Sequence, residues 1–534
     1  MFSKVLIANR GEIACRVIRA CRKLGIKTVA VYSDVDAGSL PVQQADESVP
    51  LGSAAPQESY LNIRKVLAAA QLAGADAIHP GYGFLSENPR FARECEEAGI
   101  TFIGPRPEVM EQMGDKLFAR RLAREAGMPL LPGTDEAVAD HEAAETAWNL
   151  GYPLMVKAAE GGGGMGIHVV ESREELLPLI ERARQVASGA FGSARLYFER
   201  YLKDASHIEV QLLGDNHGNL VHLFERDCSV QRRNQKLIEE TPASAKLTPQ
   251  TRRRLATLAL TLGQRIGYNN TGTVEFLVSR DGGVYFLEMN TRLQVEHGVT
   301  ELVTGLDLVE LQLRVAAGEP LPITQDDVVS NGHAIEARIY PEHPETFMPD
   351  AGQLTDLHLP PNDDNVRVDS ALCDGYTVGL DYEPLMAKVM AWGEDREQAI
   401  KTLQRALLEM RLEGVTNNVP LLQSILASRE FTDASYHTGS VPHWVNELRQ
   451  RNLAHQPGGA GHLYLHHRTE TGDSMSGEGS PTTSSGRAEK ETAAAIGVAL
   501  AMVMKSPSPE STGWKSQRRR EQLHSRSMGS RGWR

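Results

Sequence analysis

Residues 5–8 form an unbroken apolar run, which predicts a short buried strand. Over residues 13–24 the apolar positions Ile13, Val17, Ile18, Cys21 and Leu24 recur at helical spacing, so a one-faced helix follows. Residues 28–32 predict the next strand, residues 63–73 a helix and residues 77–79 another strand. This alternation predicts a parallel α/β unit over about the first 110 residues.

The pattern then changes. Short strand-like runs at 155–158, 167–170, 196–201, 207–213 and 221–225 predict an α+β region. Runs at 273–278 and 283–289 flank Arg280-Asp281-Gly282, a hairpin signal. Strands are expected at 334–340 and 387–392, and a helix at 398–410. From Gln456 onward Gly, Ser, Thr and charged residues dominate, ending near Arg518-Arg519-Arg520, so a disordered tail is expected over 447–534.

A chain of 534 residues needs several hydrophobic cores, and 41% hydrophobic with 23% charged residues is a globular composition. The net charge of −13 argues against nucleic acid as a partner. Five scattered cysteines, without CxxC spacing, predict free thiols in a reducing compartment. No apolar run approaches the ~18 residues of a membrane helix. Met1-Phe2-Ser3-Lys4 leads straight into the first strand without a signal-peptide pattern. A cytoplasmic enzyme is expected.

Four segments carry candidate chemistry. In the run Glu288 to His297, polar residues alternate, so an extended chain would place Glu288, Asn290, Arg292, Gln294 and Glu296 on one face. Glu275, on the partner strand of the hairpin, falls within reach of Glu288. Glu275, Glu288 and Asn290 offer three oxygen donors suited to a hard cation such as Mg²⁺. Arg292 suits a planar oxyanion, and Glu296 beside it a general base. The bland alternative is a solvated strand face. The second segment is Gly161-Gly162-Gly163-Gly164 after a strand, with Lys157 and Lys116 as cations. It is not a Walker loop, and it reads as a phosphate-binding lid or as a linker. The third, Cys228 to Lys236 followed by Glu239-Glu240, is dense in polar and cationic residues. Lys236 would stabilise phosphate or bicarbonate, with a solvated loop equally open. The fourth, His79 to Asn88, leaves a strand at its carboxyl end, where α/β sheets bind ligands. His79 itself reads best as structural.

These strings, with Leu6-Ile7-Ala8-Asn9-Arg10-Gly11-Glu12-Ile13-Ala14, Met113-Gly114-Asp115-Lys116 and Gln231-Arg232-Arg233-Asn234-Gln235-Lys236, resemble the biotin carboxylase family of ATP-grasp enzymes over about residues 1–446. The resemblance implies a pre-ATP-grasp α/β domain at 1–114, an ATP-grasp domain at 115–330 with a mobile lid at about 131–203, and a C-terminal α+β domain at 331–446. It implies ATP contacts at Lys116, Lys157, Gly163, Gly164, Glu199, Arg200, Tyr201, Leu202, His207, Gln231 and Asn234, with Glu275 and Glu288. Metal ligands, for Mg²⁺ or Mn²⁺, would be Glu275, Glu288 and Asn290. Bicarbonate would meet Lys236, Arg292, Gln294, the backbone of Val295 and the base Glu296. Biotin would meet Tyr82 and Arg338. Catalysis would rest on Arg292, Glu296, Arg338 and Lys236.

The implied partners are a separate biotin carboxyl carrier protein, a carboxyltransferase of an acyl-CoA carboxylase in fatty acid metabolism, and a second copy of the chain. The first helix would add outward-facing Arg16 and Arg19 to the dimer contact. Met165, His168 and Asn234 stand where relatives commonly carry basic residues or His. Ala501-Met502-Val503-Met504-Lys505 carries the methionines of a biotinyl motif but misplaces its lysine, so a working biotinyl site is not expected. The competing functional readings are another ATP-grasp ligase and an inactive scaffold subunit.

Overall fold

The protein is described by a computed structural model covering residues 1–160 and 166–454. Gly163, Gly164, Met165 and the biotinyl-like string at 501–505 lie outside the described residues.

The first five strands, β1 (Lys4–Ile7), β2 (Lys27–Ser33), β3 (Glu47–Gly52), β4 (Ala77–His79) and β5 (Thr101–Phe102), form a parallel sheet of order β3-β2-β1-β4-β5. Val5, Leu6 and Ile7 are fully buried, as an apolar strand covered on both faces must be. Asn9, just beyond β1, donates to the carbonyls of Pro80 and Tyr82 at 2.7 Å each. That clamp fixes the loop after β4. It also explains Gly81, with φ +63°, since a Cβ there would lie 2.9 Å from the Asn9 amide. The helix Gly11–Lys23 follows. Its Arg16 does not face outward as expected: it is buried and pairs with Glu301 at 2.8 Å and Asp307 at 2.6 Å. Arg19 stays half-exposed and pairs with Asp369 at 2.7 Å.

A separate three-stranded antiparallel sheet consists of β6 (Leu154–Ala158), β7 (His168–Val170) and β8 (Leu196–Arg200). The helix Arg173–Phe191 closes its core through Leu176 and Ile180 against Leu154, Val156 and Phe198.

The remaining large sheet contains β9 (Ser206–Gly214), β10 (Leu220–Arg232), β11 (Gln235–Thr241), β12 (Asn270–Val278), β13 (Val284–Asn290), β14 (His333–Ile339), β15 (Val366–Ser370) and β16 (Ala387–Gly393). Its order is β13-β12-β9-β10-β11-β14-β16-β15, antiparallel throughout. The β11–β14 pairing therefore carries one sheet across residue 330. The expected C-terminal unit shares its backbone ladder with the strands before it.

Two strand expectations differ from the structure. β10 continues past residue 225, where the expected strand ends, through Arg226, Asp227 and Gln231. Each is buried among partners. The alternating run after β13 leaves the strand at Asn290 and turns into the helix His297–Thr304, with Glu296 at its cap. The expected tail boundary at 447 falls inside the helix Val441–Ala454, anchored by the fully buried Trp444. All five cysteines are free thiols. Among the described residues no helix is long and apolar enough to cross a membrane.

Candidate active site

Five successive strands of the large sheet, β13-β12-β9-β10-β11, supply the floor of the site. On β12, Glu275 is in register with Glu209 of β9 on one side and Glu288 of β13 on the other. Three carboxylates in a row repel unless cations separate them. Lys236, at the start of β11, does so: its Nζ lies 2.7 Å from Glu209, 3.1 Å from Glu275 and 2.6 Å from Glu296. Arg226 backs Glu209 at 2.5 Å and also donates to Gln211 and Thr300 at 2.9 Å. Lys116 holds Glu288 at 2.7 Å.

Glu275 accepts from four protein groups. It receives His207 Nε2 at 2.9 Å, Asn290 Nδ2 at 2.9 Å and Gln294 Nε2 at 3.1 Å, besides Lys236. Burial alone would raise its carboxyl, but Lys236 and then His207 hold it well below the carboxylate range. Gln231 donates to the other ring nitrogen of His207 at 3.0 Å, which leaves Nε2–H pointing at Glu275. Glu296, fully buried, is likewise held low against its burial by Lys236, Arg338 and Arg226.

The loop after β13 keeps the expected residues together without extended geometry. Arg292 donates to Asn290 Oδ1 at 3.1 Å, to Gln294 Oε1 at 3.0 Å and to Glu87 at 2.9 Å. Glu87 also accepts the Thr291 amide at 3.0 Å, so the His79 to Asn88 loop braces this turn. Val295 offers its carbonyl to Lys388 Nζ at 2.8 Å. Arg338, on β14, bridges Glu239 at 2.6 Å and Glu296 at 2.8 Å. Tyr82 donates to Glu12, which also pairs with Lys388 at 3.1 Å.

These groups form one continuous band of alternating charge, with the cations Lys236, Arg292 and Arg338 beside an acidic floor. Two adjacent carboxylates and the Asn290 amide oxygen fit a hard divalent cation. Lys236, Arg292 and Arg338, each already paired with carboxylate or amide oxygens, are donors of the kind that small oxyanions use.

The sequence matches three family descriptions in succession: "Biotin carboxylase, N-terminal domain" over residues 1–110, "Carbamoyl-phosphate synthase L chain, ATP binding domain" over 115–324, and "Biotin carboxylase C-terminal domain" over 336–443. "Biotin carboxylase 2" of Bacillus subtilis is 50% identical over 439 residues, covering 82% of this chain and 98% of that protein. The chain belongs to the biotin carboxylase family. Membership makes it an ATP-dependent ligase.

Other family relatives are named for different acceptors. A pyruvate carboxylase component of Methanothermobacter thermautotrophicus is 49% identical, covering 84% of this chain and 91% of that one. The biotin carboxylase domain dimer of Hydrogenobacter thermophilus 2-oxoglutarate carboxylase, solved with MgADP, ADP and bicarbonate, superposes with a TM-score of 0.81 at 45% identity. That match covers 83% of this chain and 99% of the solved one.

The second cluster of expected residues lies on the three-stranded sheet. Glu199 is buried between Arg120 and Lys157, and the Lys116 amide donates to Ala159 O at 2.9 Å. Backbone bonds from Arg200 to Pro132 at 2.7 Å and Tyr201 to Pro153 at 3.2 Å fix the strand's exit, with Leu202 half-buried beyond it. Asn234 sits at an exposed hairpin tip with φ +67°, after Arg233 at φ +49°. Two left-handed residues closing an antiparallel pair favour Asn on backbone grounds. His79 is buried, with Nδ1 accepting from the Gly81 amide at 3.0 Å and Nε2 facing Gln312 at 3.2 Å. Local sequence pattern assigns no role to Glu12, Glu87, Arg226, Glu209, Glu239 or Lys388. Glu12 and Glu87 stand inside family-like strings. Glu209 shows its own signal, a carboxylate in the middle of an apolar strand run.

Proposed function

We propose that the chain carboxylates biotin on a separate carrier protein through carboxyphosphate, as the first half-reaction of an acyl-CoA carboxylase. The observation carrying this reading is the Lys236 ammonium held among Glu209, Glu275 and Glu296, with Arg338 on the far oxygen of Glu296. Such an arrangement pairs a carboxylate base with two cations that can turn to arriving anions.

Bicarbonate docks against Arg292, Gln294 and the Val295 backbone, and Glu296 removes its proton. Paired with Glu296, Lys236 and Arg338 make it a weak base. When they turn to the incoming oxyanion and phosphate, Glu296 loses part of that neutralisation and becomes a stronger one. Bicarbonate oxygen attacks the γ-phosphate of ATP and displaces ADP to give carboxyphosphate, and Lys116, Lys157 and Lys236 spread the developing charge. A divalent cation held by Glu275, Glu288 and Asn290 would supply Lewis-acid polarisation there. Carboxyphosphate then yields CO₂ and phosphate, the phosphate takes the N1′ proton of biotin, and N1′ attacks CO₂ to give carboxybiotin. Arg338 meets the resulting negative ureido oxygen, with Tyr82 beside it. Glu199, Arg200, Tyr201, Leu202, His207, Gln231, Asn234, Gly163 and Gly164 complete the proposed nucleotide contacts.

We place the enzyme in the cytoplasm as a homodimer, working with carrier and carboxyltransferase subunits. Carboxybiotin formed on the carrier from labelled bicarbonate, then offered to a carboxyltransferase with acetyl-CoA, propionyl-CoA or pyruvate, tests the acceptor. Label passing to pyruvate alone would overturn the acyl-CoA assignment. Sedimentation at micromolar concentration tests the dimer, and a monomer there would contradict it.

A further inference from the structure

Beside the anion centre lies a pair of carboxyls that the reaction sequence above does not use. Glu239 of β11 and Glu336 of β14 are Cα partners in the antiparallel ladder, and both are fully buried. Directly opposed side chains of such a ladder have Cβ atoms about 4.5–5.5 Å apart and share one face of the sheet. Glu239 Oε1 accepts from Arg338, but among the described residues its Oε2 has no hydrogen-bond partner, and neither oxygen of Glu336 has one. Three buried acceptor oxygens without a donor are costly. Two ionised carboxylates in that position would add like-charge repulsion.

One proton removes both problems. A protonated carboxyl becomes a donor, and its O–H can reach the free oxygen of the carboxylate opposite. We propose that Glu239 and Glu336 form an acid–carboxylate pair sharing one proton, which holds the Arg338 guanidinium and makes Glu336 a positioning residue for it. This rests on the assignment of Arg338 to biotin.

The groups facing the pair are consistent with a single negative charge. Around Glu336 stand Glu239 from β11, Arg338 from β14, Lys388 from β16, Glu296 from the loop before the helix, and Tyr82 from the loop after β4. Burial first, and Glu239 and Glu296 after it, push Glu336 well above the carboxyl range, against Lys388 and Arg338. Burial, then Glu296, also raises Glu239, against Arg338 and Lys236. A doubly ionised pair would neutralise Arg338 more completely and weaken its hold on an anionic ureido oxygen. A singly charged pair orients the guanidinium and leaves it cationic.

The test compares Glu336→Gln, which keeps a donor without charge, with Glu336→Met, which has similar volume and no donor. Infrared difference spectra between wild type and Glu336→Gln at pH 8 should contain the carbonyl stretch of a protonated carboxylic acid. Kinetically, Glu336→Gln should stay within about threefold of wild type, while Glu336→Met raises the KM for biotin about tenfold or more. Bicarbonate-dependent ATP hydrolysis without biotin should change little in either variant, which also reports that each is folded. A wild type without a protonated-acid band, or equal biotin KM values for the two variants, would overturn the pair. A wild type with no biotin response at all would instead overturn the assignment of function.

Discussion

Replacing Lys236 by Met removes a cation and keeps most of the stem. The ammonium lies within 3.1 Å of three buried carboxylates, so the loss falls on all of them together. Each retains other donors: Arg226 for Glu209, His207, Asn290 and Gln294 for Glu275, and Arg338 for Glu296. Breaking a buried ion pair costs about 3–5 kcal/mol when the remaining charge is left alone. With these second partners we expect the lower end, about 3 kcal/mol, which folding of a chain this size should survive. Turnover should suffer more, because Lys236 meets charge that develops during phosphoryl transfer. Removal of one such donor typically lowers kcat about 10²–10³-fold.

The pH dependence carries the sharper signature. Burial pushes Glu296 up and Lys236 is the largest influence holding it down, so the variant's Glu296 protonates at higher pH. A base must be ionised, and the acid limb of bicarbonate-dependent ATP hydrolysis should therefore move toward neutral pH. A carboxylate depressed in the folded state contributes stability above its unfolded value that is lost as pH falls. Acid unfolding of the variant should accordingly begin at higher pH. The assay is initial rate against pH beside circular dichroism, with Lys236→Arg as a charge-retaining control. An unmoved acid limb with turnover within about threefold of wild type would refute this reasoning.

Other substitutions probe the surroundings. Glu199→Gln strips the counter-charge from both Arg120 and Lys157, and the KM for ATP should rise about tenfold while biotin KM stays put, by steady-state kinetics. Asn234→Ala places an ordinary side chain at φ +67° and should cost about 1 kcal/mol in thermal unfolding, whereas Asn234→Gly should not. His79 is pushed down by burial to about 4, so the unfolded chain takes up its proton first as pH falls. Its neutral ring then contributes stability that fades between about pH 6.5 and 4, roughly 3 kcal/mol in all. His79→Gln should flatten that part of an acid-unfolding curve.

Much of the fold was legible where periodicity was undisturbed. The run at 5–8, the helix after it and the hairpin around Arg280-Asp281-Gly282 all appear within a few residues of their expected places, and Glu275 does face Glu288 across that hairpin. The site lay within short strings, so its members were legible as a set even though the strand carrying them stops at Asn290. What local pattern concealed was the burial of charge. Arg226 lies beyond the apolar run that marked its strand, and it is satisfied by Glu209 and Gln211 from β9 and Thr300 from a helix. Arg16 was misplaced for the same reason, since its partners Glu301 and Asp307 lie far along the chain. Pairings such as β11 with β14 depend on contacts almost 100 residues apart and leave no trace in hydrophobic spacing.

The most direct measurement is ATP hydrolysis with Mg²⁺ and bicarbonate, with and without free biotin, in wild type, Glu296→Ala and Arg338→Ala. We expect biotin to stimulate the wild type, Glu296→Ala to lose turnover under both conditions, and Arg338→Ala to lose the biotin response while keeping bicarbonate-dependent hydrolysis. A folded, ATP-binding wild type that biotin does not stimulate would contradict the proposed reaction.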